Sequence, residues 1–503
     1  MRYLLTLFGL FFFAIANSQP KSLNDISERY AIASLPDFFE LLALPNVASK
    51  AEDIEKNVQW CEKAFAERGF ITQRLSTPTV PLLLAERKFK KAKKTVLIYL
   101  QIDGQPVNPS QWDQESPWIA TVKEKQADGN WKTIPSPDWQ KSDRSWRIFA
   151  RSASDAKGPA VAFLAALKAM DDLKITPDYN IKVIMDFEEE LGSPNLPAAV
   201  KTYSQALKSD WLIIFDGPRH VSNQPTLSFG ARGICEITLT TFGPRNHMHS
   251  GNYGNYAPNP AFGLAHLLAS MKDTDGRVLI PGFYDGVNLT ESEKATLKNV
   301  PDNETELKRF LGIATPEKVA PTFQEALQYP TLNIRGLNSL YIGEKARTLI
   351  PAWATAEIDI RLVPSSDPDR LINLVKKHVE DQGYYLVKDQ PTEEERSKYA
   401  KLAAIQSKFS YGSFQTPFDS PLGLWLNRAM VHTFQKEPIK IRMMGGSIPI
   451  SPFVVTLGIP AVSVTTVNAD NNQHAENENI LLGNYIDAVH TFLQILAEPI
   501  QEK

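Results

Sequence analysis

The chain has 503 residues, 54 Lys and Arg against 57 Asp and Glu for a net charge of -3, with 43% hydrophobic and 22% charged residues. That balance excludes a disordered or collagenous chain and lacks the basic excess of a nucleic-acid binder, while the length suffices for two domains. The cluster Lys88, Lys90, Lys91, Lys93 and Lys94 reads as a solvated turn ahead of a strand.

Residues 1–18 read as a targeting segment: Arg2, an apolar core from Leu4 to Ile15, then the small residues around Ala14 to Ser18. The core is too short to span a bilayer comfortably, and no later apolar run is long enough. Cleavage after Ala16 or Ser18 and a secreted or periplasmic mature chain without a membrane span are expected. Cys61 and Cys235 both fall on apolar faces and read as core thiols rather than a disulfide.

From Ser22 to Gly69 the pattern is helical, with Gly69 as a C-terminal cap. Pro81–Leu84 and Thr95–Leu100 read as strands joined by a polar hairpin. A Pro- and Trp-rich loop follows, and then a long Ala-rich helix that begins after Ser154-Asp155-Ala156-Lys157 and reaches about Asp172. Ile181 to Ser193 starts as a buried β-branched strand and ends in Glu188, Glu189 and Glu190. A helix near Pro197–Leu207 and a strand Trp211–Phe215, ending at Asp216, complete an alternating pattern. Such alternation indicates an α/β sheet whose functional residues gather at the carboxyl edge.

After Pro225 the character changes. Gly233–Thr241 alternates, a helix follows near Asn259–Met271, a long polar excursion comes next, and Ala354–Val363 alternates again. Asp367 caps a helix opened by Pro368. From about Phe414 the α/β pattern returns, with a helix near Leu422–Phe434, strands near Ile439–Met443 and Ala461–Val464, and a last helix Asn484–Leu496. The expected architecture is a mostly parallel-sheet catalytic domain (19–227 and 413–503) interrupted by an α+β lid or dimerisation domain (228–412).

Three successive glutamates alone would read as a solvated acidic loop. Here Gln101-Ile102-Asp103, Asp155, Asp216 and the run Asn471 to Glu478 with His474 supply further donors at strand ends. Crowded carboxylates resist burial unless a cation compensates them, and carboxylate with imidazole suits zinc, manganese or cobalt.

On Asp103-Gly104-Gln105-Pro106-Val107, Ser154 to Pro159, Glu189-Glu190-Leu191-Gly192-Ser193, His249-Ser250-Gly251, Arg361-Leu362-Val363-Pro364, Gly445 to Pro449, and His474 followed by Asn477-Glu478, the chain resembles the di-zinc metallopeptidases of the carnosinase and glutamate carboxypeptidase type. The resemblance implies zinc, one or two ions per chain, with Asp155 bridging, Glu190 and His474 completing one site, and Asp216 in the other. It implies Glu189 as general base, His249 as an oxyanion donor reaching a partner subunit's site in a homodimer, and Arg361 as the holder of the substrate carboxylate. Asp103 joins the catalytic set, Gly446 and Ser447 bring donors to the substrate, and the Asp155–Ala156 peptide is expected to be cis.

Two positions depart from the family's pattern. Gln101 stands where a metal-binding His is usual, so the Asp155–Asp216 site should bind more loosely, take a harder ion such as manganese or magnesium, or remain empty. His247 stands where Asp is usual. The remaining histidines, His220, His266, His378, His432 and His490, read as structural. The expected activity is hydrolysis of dipeptides or short peptides with a free C-terminal carboxylate. An N-acyl-amino-acid amidohydrolase and a non-catalytic binding protein remain as alternatives.

Overall fold

The structure, a computed structural model, describes residues 23–501 except Ser447; the expected targeting segment lies outside the described residues. Eight strands form the central sheet, in the spatial order Ile71–Leu75, Leu82–Arg87, Tyr179–Asp186, Lys94–Gln101, Trp211–Ile214, Ala461–Thr465, Thr226–Ser228 and Ile439–Ile441. Tyr179–Asp186 through Ala461–Thr465 run parallel. Their near-continuous apolar sequences suit strands covered on both faces, and Val96 to Leu100 are each at most 1% exposed.

The expected hairpin does not form. Tyr179–Asp186 lies between Leu82–Arg87 and Lys94–Gln101, antiparallel to the first and parallel to the second. Its apolar segment Val183–Met185, fully buried, gains from the doubly covered centre, whereas the charged end of Leu82–Arg87 at Glu86 and Arg87 suits a position nearer the edge. The helical pattern before Gly69 resolves into three helices, Leu23–Ala33, Leu35–Leu42 and Ala51–Ala66. Pro36 opens the second of these, and Gly69, at φ +73°, lies just past the third.

The Ala-rich helix Lys157–Asp172 is buried continuously from Lys157 to Leu167 and packs against Leu482–Ala497. Phe163, Phe215 and Phe492 meet between this layer and the sheet, the last two stacked at 3.9 Å. At the start of the helix a Cβ on Gly158 would stand 2.2 Å from the Ala153 carbonyl, so only glycine allows the approach. Lys157 Nζ donates to the carbonyls of Leu41 and Leu44 at 2.8 and 2.6 Å, a cation closing the C-terminal end of Leu35–Leu42.

A second sheet runs in the order Asn333–Asn338, Trp353–Leu362, Gly233–Phe242, Leu402–Tyr411, Tyr385–Val387. Its inward residues, among them Cys235, Ile237, Leu239, Ala356, Ile358 and Ile360, form a core of their own with the helices Pro260–Met271 and Pro368–Asp381. Asp367 caps the second of these helices, its Oδ1 accepting the Arg370 N–H at 2.6 Å. Cys61 and Cys235 are buried free thiols. Between Pro260–Met271 and the strand Asn333–Asn338, the excursion 288–331 folds into three short helices, Glu291–Lys298, Glu304–Leu311 and Phe323–Ala326.

Candidate metal centre

The parallel strands end on one edge of the sheet, and the polar residues that follow them converge there. Asp155 precedes the Ala-rich helix through a cis Asp155–Ala156 peptide, as the resemblance implied. His474 Nε2 lies 3.0 Å from Asp155 Oδ2 and 3.2 Å from Glu190 Oε2. The three donor atoms sit within 4.8 Å of one another. His474 is presented by a loop whose backbone is left-handed at Asn472, His474 and Asn477, a conformation that Asn and His tolerate better than most residues.

Two buried carboxylates hold these ligands from behind. Glu478 accepts the N–H groups of Ser152, Ser154 and Asp155 at 2.9, 3.0 and 2.9 Å, together with Ser154 Oγ–H, and pairs with the buried Arg151 at 2.8 Å. It thereby ties the Asp155 loop to the His474 loop, four residues from the imidazole. Asp103 accepts the N–H of Glu189 on one oxygen and of Glu190 on the other, both at 3.0 Å. These two bonds shape the Glu189–Glu190 turn. Gln101 is 1% exposed, and its Nε2 has no hydrogen-bond partner.

A cleft of about 640 Å³ opens over this edge, walled in part by Gln101, Asp155, Glu189, Asp216, Gly446 and His474. Arg361 and His249 do not line it. Arg361 lies on the second sheet, its N–H on Thr331 Oγ1 and its Nε 3.7 Å from Asp359. His249 is exposed and caps a short helix, its Nδ1 accepting the Gly251 N–H. The imidazole of His247 accepts the Ala352 N–H at 3.0 Å, and Ser447 lies outside the described residues.

His220, read as structural, lines the cleft and is bonded to Asp302 of the excursion at 2.9 Å. Nothing local to either residue announces that contact, because 82 positions of sequence separate them.

The electrostatics are those of a site built for a cation. Burial, with repulsion from Asp216 and Asp155, pushes Glu189 well above the usual carboxylate range. Burial raises Asp155 to about 6 and, with Asp155 beside it, Asp216 to about 7. His474, hydrogen-bonded to Asp155, is raised to about 9. Asp155, Glu190 and His474 supply two carboxylate oxygens and one imidazole nitrogen, with one side open to the cleft. That is the donor set and openness of a hydrolytic zinc site. Gln101, Asp155 and Asp216 fit a second ion less well, since a neutral amide replaces a stronger donor.

The fold and these donors define a metal-dependent hydrolase. The sequence profile of peptidase family M20/M25/M40 matches residues 101–498. Relatives include a Cys-Gly metallodipeptidase of Schizosaccharomyces pombe, 28% identical over 84% of this chain and 83% of its own length. Human Beta-Ala-His dipeptidase is 27% identical over 85% and 79%. Among solved structures, an M20 family metallo-carboxypeptidase from Sulfolobus solfataricus superposes with a TM-score of 0.75 at 29% identity, covering 92% of this chain and 98% of its own. Human carnosine dipeptidase 1 shares the fold at a TM-score of 0.71 and 23% identity, over 95% and 98%. The chain belongs to peptidase family M20/M25/M40, and is thus a zinc-dependent hydrolase of peptide bonds.

Because Asp155, Asp216 and His474 hold protons more tightly in the folded state than their ordinary values of 3.8 and 6.5, their contribution to stability is present at low pH. It is lost as pH rises through about 6, 7 and 9. Chelated protein should therefore melt at a lower temperature at the alkaline end of this window than at its acidic end, and added zinc, which binds the deprotonated donors, should cancel the trend. Thermal midpoints across the window check this; a chelated protein that gains stability as pH rises would contradict it.

Proposed function

We propose that this protein is an exported dipeptidase that cleaves short peptides with a free C-terminal carboxylate, with Glu189 as general base. The observation that carries the reading is the convergence of Asp155, Glu190 and His474, with Asp155, His474 and Glu189 lining one cleft. The names of the relatives, Cys-Gly and Beta-Ala-His dipeptidases, support the substrate class.

Asp155, Glu190 and His474 would hold zinc, with Asp155, Asp216 and Gln101 offering a weaker second position. Bound zinc supplies Lewis acidity, polarising the scissile carbonyl and acidifying a water. Glu189, one residue before Glu190 on a turn set by Asp103, takes the proton of the attacking water and delivers it to the leaving amine. Its environment, crowded with carboxylates, makes the proton welcome once taken. Gly446 brings backbone donors to the substrate. His249 serves the oxyanion across a homodimer, and Arg361 holds the substrate carboxylate.

Replacing Glu189 by Gln should lower kcat by about 10²- to 10⁴-fold while zinc content, measured by elemental analysis, stays unchanged; activity near the parent level would remove Glu189 from the role of base. The parent chain should retain one tightly bound metal after dialysis, and Gln101→His should retain two. Equal counts in both proteins would mean that Gln101 does not weaken the second position. His249→Ala and Glu189→Gln proteins, each nearly inactive, should regain part of the activity when unfolded and refolded together, since a hybrid dimer contains one intact site. A mixture as inactive as its components would rule out action across subunits. Intact mass of the exported protein should correspond to a chain beginning at Asn17 or Gln19; retention of residues 1–18 would refute export by cleavage.

A further inference from the structure

Part of the cleft lining is apolar. Met443 and Met444, immediately before Gly445, share this wall with Ile441, Ile448, and Phe323 and Leu327 of the excursion. At its mouth stand Phe310 and Val221, 84% and 77% exposed, with Phe323 at 40%. Single exposed apolar residues are ordinary, but a cluster of them bordering a site that binds small molecules marks a surface to be covered by a ligand.

The wall is fixed in place before any ligand arrives. Arg442 binds Glu293 at 2.8 Å and the Gln328 side chain at 2.7 Å, tying the strand that leads into Met443 to both ends of the excursion. Arg232 donates to the carbonyls of Ala326, Leu327 and Tyr329, holding the segment that carries Leu327. A Cβ on Gly445 would stand 3.4 Å from Leu327 Cδ2, so the excursion sits directly on the glycine loop. Asp302 is engaged by His220 and Gln324, and Arg219 pairs with Asp487 through Nη1 while its Nε and Nη2 have no hydrogen-bond partner.

We infer that this wall selects dipeptides carrying a bulky apolar side chain, of the size of Leu, Met or Phe, next to the scissile bond. The inference rests on the dipeptidase reading for its reaction, and its physical content is a preorganised apolar subsite continuous with the metal donors. Burying a larger apolar side chain removes more surface from water, and because the wall is rigid little ordering opposes the gain.

The test compares Leu-Gly with Ala-Gly and Gly-Leu with Gly-Ala, alongside Asp-Gly and Gly-Lys, on the zinc-loaded full chain. The same dipeptides are titrated by calorimetry into the Glu189→Gln protein. In at least one of the two positions Leu should exceed Ala by about tenfold or more in kcat/KM and in affinity, with Asp and Lys weaker still, and Leu327→Glu should bring the Leu to Ala ratio down toward one. Ala, Asp or Lys dipeptides matching Leu in both positions would overturn the inference while leaving the dipeptidase reading standing. If no dipeptide is cleaved, that reading falls, and the calorimetric Leu to Ala ratio alone decides the subsite. If Leu327→Glu does not fold, the comparison on the parent chain decides it.

Discussion

The site depends on the carboxylate of Glu478, which is fully buried. A buried carboxylate is costly unless every lone pair finds a donor, and Glu478 finds them in three backbone N–H groups, one hydroxyl and the guanidinium of Arg151. Those donors all come from the loop that carries Asp155, while Glu478 itself belongs to the loop that carries His474. One satisfied charge thus holds together two segments more than 300 positions apart, and the metal donors are brought close as a consequence. Asp103 does the same on the other side, where two more N–H groups set the turn of Glu189 and Glu190. Repulsion among the front carboxylates is therefore borne by a framework already anchored from behind.

The central sheet supplies the geometry for this arrangement. Four parallel strands end on one edge, so residues from positions 101, 155, 189, 216 and 474 face a single cleft although no two of these positions are neighbours in sequence. The helices on the faces of the sheet make that edge the accessible one. The excursion 288–331 is joined to the catalytic half through Arg442 and His220 and contributes a wall of the cleft, while the second sheet keeps a core of its own.

Much of this was readable from residue order. The strand Tyr179–Asp186, the Ala-rich helix and the cap at Asp367 follow from periodicity and local hydrogen-bonding chemistry, which act over a few residues. The ligand candidates were legible because carboxylates at strand ends have few uses other than binding a cation, and because several motifs occur in a fixed order. The pairing of Leu82–Arg87 was not legible: strand partners are chosen by competition among apolar runs for the doubly covered centre, and adjacency in sequence misleads.

Sequence by itself determined which residue types are available to bind a metal and move a proton, since ligand chemistry belongs to the side chain. Only the tertiary structure decided that Asp103 braces the Glu189–Glu190 turn, that His220 and the excursion wall the cleft, and that Arg361 and His249 stand away from it within their own chain. Those are long-range contacts. They arise from the packing of the whole chain, and no local pattern of residues encodes the distance between two segments.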